Sequence, residues 1–389
     1  MDFELWYLIL VPLLFAAGWF ARSFDIKEKQ TIADEKDTLY KGVDLLLSNK
    51  QDQAIDAFIN LVKLDPDTVE MHFSLAGLFR RRGEFDRAIK IHNVLVNRED
   101  LPKKIRSRAL YELGEDYLKA GLWDRAEESF LKISDTSESY KTIARKELLH
   151  IYETEKEWQK AIDEANIIQR QSGEDQSTRI AQLYCELTQQ NLYFKNFKGA
   201  AEALEKALKV DPNNKRALII KGKMLKAKGD IDGALATWKQ VGQISPAYGT
   251  LVVDQIASLL LEAGRKEEAV QYLEDLFKDG STTDEVDTAG ILLGKAGNSK
   301  EAIALIQEHL KTQPTLVAFY RLIDLRLANE PENESLKQLH GLLKNMLSKA
   351  VRYKCTKCGF ATRKFLWRCP GCHQWETFPP VRQENLSGR

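Results

Sequence analysis

The sequence predicts an all-α body of stacked helical pairs. An N-terminal membrane-spanning helix precedes the body, and a small metal-binding ribbon follows it. Three observations carry this expectation: a small residue that returns at near-constant spacing through the middle of the chain, an uncharged apolar run near the start, and two Cys-x-x-Cys pairs near the end. The boundaries that follow are 1–21 for the anchor, 22–36 for a polar linker, 37–350 for the helical pairs and 351–389 for the ribbon.

The small-residue marker falls at Ala54, Ala88, Ala126, Ala161, Ala200, Ala234, Ala269 and Ala302, with spacings between 33 and 39. This is the tetratricopeptide period of about 34 residues with loop insertions, and it predicts a tetratricopeptide-repeat superhelix. Other positions keep the same register. Twelve residues before the marker stands a small residue in most repeats, among them Gly42, Ala76, Gly114, Gly222, Ala257 and Gly290. Five before it stand Gly83, Gly121, Gly229, Gly264 and Gly297, and four after it a large apolar residue such as Phe58, Phe130, Trp238 or Ile306. Twelve after it Pro66, Pro212, Pro246 and Pro314 close their units. Small residues let two helices approach and the large one fills the space between them, while Gly permits the tight turn and Pro ends the second helix. The repeats marked by Ala161 and Ala200 are the weakest, with Leu149 and Thr188 in place of the small residue and polar Asn191 at an apolar position. Drift in a redundant array accounts for this, with a local hinge as the alternative. Residues 315–349 supply a further helical pair without the full pattern, as a cap would.

In such an array the first helix of each unit lines a concave groove. By register, the candidates for partner contact are Phe73, Arg80, Arg108, Tyr111, His150, Tyr193 and Arg216. Mixed basic and aromatic residues suit an extended or acidic peptide, although any one of them is also what an ordinary solvated helix face carries. Cys185 reads as a bystander.

The run Leu5–Ala21 is uncharged over seventeen residues, near the short limit for a bilayer span. Trp6, Tyr7 and Trp19 stand near its ends, where interfacial aromatics belong. A cleaved signal would have a basic leader, whereas this one carries Asp2 and Glu4. Arg22, Lys27 and Lys29 follow the run and no Lys or Arg precedes it, which places the bulk of the chain on the cytoplasmic side.

Four of the five cysteines form the pairs Cys355/Cys358 and Cys369/Cys372. Two such knuckles supply four thiolates in a tetrahedron. The short gap between them fits a minimal ribbon of the rubredoxin kind, and four sulfurs accept zinc or iron equally. With all four positions filled, the site reads as structural. Two disulfides would need an oxidising compartment. His373 is a lesser alternative ligand.

The chain has equal numbers of basic and acidic side chains, 57 of each, so its overall charge gives no reason to expect nucleic acid. From Val351 onward eight Lys/Arg face two acids, Glu376 and Glu384, leaving the rest of the chain acidic. A basic ribbon and an acidic body suggest docking of one on the other. Tyr353, Phe360, Phe365, Trp367, Trp375 and Phe378 read as the core of so small a module. The six histidines (His72, His92, His150, His309, His340, His373) are scattered, and no H-E-x-x-H, Walker, G-x-G-x-x-G or G-x-S-x-G motif is present. The expectation is therefore a binding protein without an active site. A tethered rubredoxin-like electron carrier and an RNA-binding regulator acting through the basic ribbon are the alternatives from other classes.

The order of anchor, repeats and ribbon resembles the lipopolysaccharide assembly protein B family of Gram-negative bacteria. The resemblance runs through Leu45-Leu-Leu-Ser-Asn49, Arg82-Gly-Glu-Phe-Asp-Arg-Ala-Ile89, Ala120-Gly-Leu-Trp-Asp-Arg-Ala-Glu127, Cys355-x-Lys-Cys-Gly-Phe360 and Trp367-x-Cys-Pro-x-Cys372. It implies a non-enzymatic inner-membrane scaffold that regulates lipopolysaccharide biosynthesis. It further implies promotion of degradation of the deacetylase LpxC by the membrane protease FtsH, links to lipopolysaccharide synthesis and export proteins, and one metal ion held by Cys355, Cys358, Cys369 and Cys372. Homo-oligomerisation is left open.

Overall fold

The computed structural model describes residues 40–45, 47–48, 53–54, 57, 69–134, 138–277, 282–349 and 352–380. The anchor, the linker, most of the first repeat and residues 381–389 lie outside the described residues. Among the described residues no helix is long and apolar enough to cross a membrane. The chain divides into two compact units, Met1–Glu174 and Asp175–Arg389.

In the first unit, from Val69 onward, the described helices are α1 (Val69–Arg81), α2 (Phe85–Val96), α3 (Lys103–Lys119), α4 (Trp123–Ser134), α5 (Glu138–Glu155) and α6 (Trp158–Ser172). They form three antiparallel pairs, and each helix packs on its sequence neighbour. The second helix of each pair buries a stripe that includes the marker alanine. In α2 the stripe is Ala88, Ile91, His92 and Leu95, spaced to lie on one helical face.

The second unit continues with α7 (Ser177–Tyr193), α8 (Phe197–Val210), α9 (Lys215–Ala227), α10 (Ile231–Ile244), the one-turn α11 (Pro246–Gly249), α12 (Val253–Glu262), α13 (Lys266–Asp275), α14 (Thr283–Lys295), α15 (Ser299–Thr312), α16 (Leu316–Asn329) and α17 (Glu334–Lys349). In α8 the stripe is Ala200, Ala203, Leu204 and Ala207, and in α10 it is Ala234, Leu235, Trp238 and Val241. Side-chain caps fix several starts: Asn196 for α8, Asn214 for α9, Asp230 for α10, and a reciprocal Thr282–Glu285 box for α14.

All eight marker alanines are fully buried. The pairing of small and large residues is a direct contact. A Cβ on Gly114 would fall 2.6 Å from the Phe130 ring, and one on Gly290 would fall 2.9 Å from Ile306 Cδ1. Gly83, Gly121, Gly229, Gly264 and Gly297 all sit at positive φ in the turns. In the two weak repeats Lys156 and Lys195 hold that left-handed position instead, and Leu149 and Thr188 are fully buried at the positions where small residues were missing. The expected tetratricopeptide fold is therefore intact through both repeats.

The ribbon contains β1 (Tyr353–Lys354) and β2 (Ala361–Thr362), antiparallel with Tyr353 opposite Thr362 and Lys354 opposite Ala361. A single bridge, Arg368 to Trp375, flanks the second knuckle.

Candidate metal centre and the docked ribbon

The two knuckles are built alike. In the first, Cys355 N–H donates to Phe360 O (2.8 Å) and Gly359 N–H to Cys355 O (3.1 Å). In the second, Cys369 N–H donates to Gln374 O (2.9 Å) and His373 N–H to Cys369 O (2.9 Å). Gly359 and His373 therefore occupy equivalent left-handed positions, with φ of 76° and 57°. The backbone role of His373 is to turn the knuckle, and the group of converging ligand atoms comprises the four cysteines without it.

The four Sγ atoms lie within 4.8 Å of one another. Cys355 and Cys372 are 3.7 Å apart and Cys358 and Cys369 3.6 Å. A tetrahedral ion with metal–sulfur bonds of about 2.3 Å requires sulfurs about 3.8 Å apart, so the donor set fits one ion. The separations far exceed a disulfide bond of about 2.0 Å, and all four thiols are free. Lys357 N–H points at Cys355 Sγ from 3.4 Å. Burial acts to raise the Cys355 thiol, but hydrogen bonds from Thr377, Cys358 and Lys357 outweigh it and bring the thiol down to about 6. Burial lifts Cys372 to about 12. An ion bound by the four cysteines would replace the protons of both.

The ribbon docks on the repeats of its own unit. Its core consists of Tyr353, Cys355, Cys369 and Phe378, while Phe365 and Trp367 pack against the cluster around Trp238, Tyr248 and Ile256. Trp367 stacks on Tyr248 with ring centroids 5.7 Å apart, and Phe365 meets the same ring edge-on at 6.3 Å. The expectation that all ribbon aromatics form its own core is corrected here, because part of the set faces the repeats. Phe360 stays exposed.

The polar clasp of this docking runs opposite to the expected charge sense. One of the ribbon's two acids, Glu376, enters the repeats. Gln182 Nε2 donates to its Oε1 at 2.7 Å, Asn214 Nδ2 reaches the same oxygen at 3.5 Å, and Lys215 Nζ lies 3.2 Å from Oε2. A contact in the expected sense is also present, Arg352 to Asp284 at 3.4 Å. Net charge misjudged the clasp because it sums every lysine and arginine of the ribbon, whereas the clasp at Glu376 is set by one acid and the repeat residues it meets.

The seven groove candidates separate. Arg216 is buried beneath the ribbon. It donates to Gln182 Oε1 (3.2 Å), Glu186 Oε1 (2.8 Å) and Gln189 Oε1 (3.2 Å), and lies 5.7 Å from the Trp367 ring and 5.8 Å from that of Trp375. It faces the chain's own ribbon rather than an open groove. In the first unit Phe73 is buried beside His92, with the Arg108 guanidinium 4.0 Å over its ring. Arg108 also pairs with Glu70 at 2.6 Å. Arg80 pairs with Glu112 and with Asp116. Tyr111 packs between Phe130 and Tyr140, and burial pushes its hydroxyl well up. His150 is half-buried on α5. Tyr193 ends α7, 82% exposed and edge-on to Phe194. Cys185 is fully buried, and burial raises its thiol to about 12. Gln182, Asn214, Lys215 and Tyr248 were not singled out from sequence, and Glu376 was noted only as one of the ribbon's two acids. Asn214 alone carried a local signal, as a cap just before an apolar helix.

Fold and site define a class: a tetratricopeptide-repeat protein carrying a four-cysteine ribbon that can hold a metal ion. Residues 353–380 match the family described as rubredoxin metal binding domain, and residues 41–100 and 192–246 match the tetratricopeptide repeat family. The chain is 35% identical over 381 residues to lipopolysaccharide assembly protein B of Escherichia coli K12, covering 96% of this chain and 97% of that protein. It is 29% identical over 396 residues to the protein of the same name from Haemophilus influenzae, covering 97% and 98%. Among solved structures, a tetratricopeptide repeat protein from Parabacteroides merdae aligns at 16% identity with a TM-score of 0.32, over 72% of this chain and 100% of that one. The chain belongs to the lipopolysaccharide assembly protein B family. Repeat fold and family together fit a scaffold that binds proteins.

Proposed function

We propose that this chain is a non-enzymatic, membrane-tethered adaptor that takes part in lipopolysaccharide assembly and regulates lipopolysaccharide biosynthesis. The observation that carries this reading is the end-to-end match to relatives named lipopolysaccharide assembly protein B. The relatives' names give no support to an electron carrier or an RNA-binding regulator. In this reading the apolar run Leu5–Ala21 anchors the chain in the inner membrane, with its N-terminus periplasmic and the repeats cytoplasmic. The repeats capture the deacetylase LpxC and present it to the membrane protease FtsH. Tethering raises the effective concentration of client and protease, so no covalent chemistry by this chain is required. Cys355, Cys358, Cys369 and Cys372 hold one ion, zinc or iron, whose part is to fold the ribbon and keep it on the repeats.

The test is a pull-down from detergent-solubilised membranes with the intact chain and a Cys355→Ser/Cys358→Ser double variant. The eluates are probed for the protease and the deacetylase. Both partners with the intact chain, and loss of one with the variant, are expected. Recovery of neither partner with the intact chain overturns the reading.

A further inference from the structure

We propose that Gln182, Asn214 and Lys215 form a carboxylate-binding site for an acidic peptide, and that Glu376 of the chain's own ribbon occupies this site while the four cysteines hold their ion. The proposal deepens the adaptor reading by naming the chemistry of a ligand and the condition for its entry.

The receptor belongs to the repeats alone. Asn214 caps α9, its Oδ1 accepting from Ala217 N–H at 3.0 Å, and its Nδ2, which donates to Asp211 Oδ2 at 3.2 Å, has a second hydrogen to offer Glu376 Oε1 at 3.5 Å. Lys215 is the first residue of α9, where the amide-rich, positive end of a helix favours an anion. Gln182 comes from α7. Arg216 donates to its carbonyl oxygen at 3.2 Å and so turns its amide nitrogen toward the ligand. Each of these contacts is made between residues of the repeats.

The occupant is held differently. Glu376 takes a left-handed backbone with φ of 53°, a conformation that is strained for a non-glycine residue. Its placement depends on the second knuckle, because Glu376 N–H donates to Trp367 O at 2.8 Å across the stem that Cys369 and Cys372 close. The ion clips that stem shut, and without it nothing ties the four thiols together. As long as the stem is closed, Glu376 competes as an intramolecular ligand at an effective concentration on the order of millimolar, which excludes a peptide in trans. Opening the stem frees a preorganised site beside Tyr248 and the Arg216 guanidinium, surroundings that suit an acidic residue next to an aromatic one. Trp375-Glu376 itself has this form.

The probe is a fluorescein-labelled peptide copying residues 373–379, together with the same peptide carrying glutamine in place of its glutamate. Both are titrated into the full-length chain in detergent. The ion-loaded parent is expected to bind both only weakly. After chelation, or in Cys358→Ser, the glutamate peptide binds, and binds about tenfold more tightly than the glutamine peptide. Lys215→Met in the same background abolishes that preference. Because the stripped ribbon can loosen neighbouring helices, Glu376→Gln provides an arm that keeps all four cysteines, and it binds the glutamate peptide about tenfold more tightly than the loaded parent does. The proposal is overturned if neither the stripped chain nor Glu376→Gln binds better than the parent, if the two peptides bind alike, or if Lys215→Met changes nothing. No deacetylase or protease enters the assay, so its failure is separable from failure of the adaptor reading.

Discussion

A Cβ built on Gly222 would fall 2.2 Å from Trp238 Nε1, so the α9 backbone and the α10 indole come this close only because residue 222 has no side chain. The indole N–H donates to Ile219 O at 3.2 Å, which fixes the ring and leaves it no room to retreat. Gly222→Ala is therefore expected to cost about 1–3 kcal/mol by overpacking, read as a fall in the urea midpoint. In a Trp238→Leu background the same change should cost much less, because the clash is with the indole. Equal costs in the two backgrounds would assign the loss to helix geometry instead.

Lys195 holds φ of 58° where five other repeats place glycine. A glycine relieves the backbone but adds freedom to the unfolded chain, and the first effect is the larger at a left-handed position. Lys195→Gly is expected to stabilise the second unit by up to about 1 kcal/mol, and Gly229→Ala to destabilise it by about as much. Thermal melts of the two variants test the pair, and a shift of the same sign in both would contradict it.

The repeats were legible because their determinants are local and recur. Gly114 and Phe130, or Gly290 and Ile306, keep one spacing, and one spacing means one contact. The four cysteines were legible because a knuckle is a short piece of chain with its own hydrogen-bond pattern. Docking was legible as an event but its chemistry was not. Glu376 and Lys215 are 161 residues apart, and no local pattern connects them. Tyr248, which receives Trp367, stands on a one-turn helix opened by Pro246, hidden inside an ordinary repeat spacing. Arg216 was assigned to the groove by register, and register places a residue on a face without telling what covers that face.

Removing the ion should reach the repeats. Cys369→Ser deletes a fully buried ligand and leaves three thiols that cannot complete a tetrahedron. The expected results are loss of the bound ion, a lower melting temperature for the second unit, and faster hydrogen exchange in α7, α9 and α11, where Gln182, Arg216 and Tyr248 meet the ribbon. Exchange in α1 to α4 should stay as it was. Loss of the ion with unchanged exchange in α7 and α9 would show that the ribbon stays docked without it.

His309 is expected to make the second unit sensitive to acid. It lies buried on α15, its Nε2 has no hydrogen-bond partner among the described residues, and burial holds it below its ordinary value of 6.5. The unfolded chain, with the ordinary value, takes up a proton first as pH falls. The stability that comes from keeping His309 neutral is thus present above pH 6.5 and lost as pH falls through the lowered value in the folded state. One group of this kind contributes a slope of at most about 1.4 kcal/mol per pH unit. His309→Leu removes the proton site and is expected to flatten the fall in urea midpoint between about pH 7 and pH 5 relative to the parent. Coincident pH profiles for parent and variant would show that other groups govern the acid sensitivity of this unit.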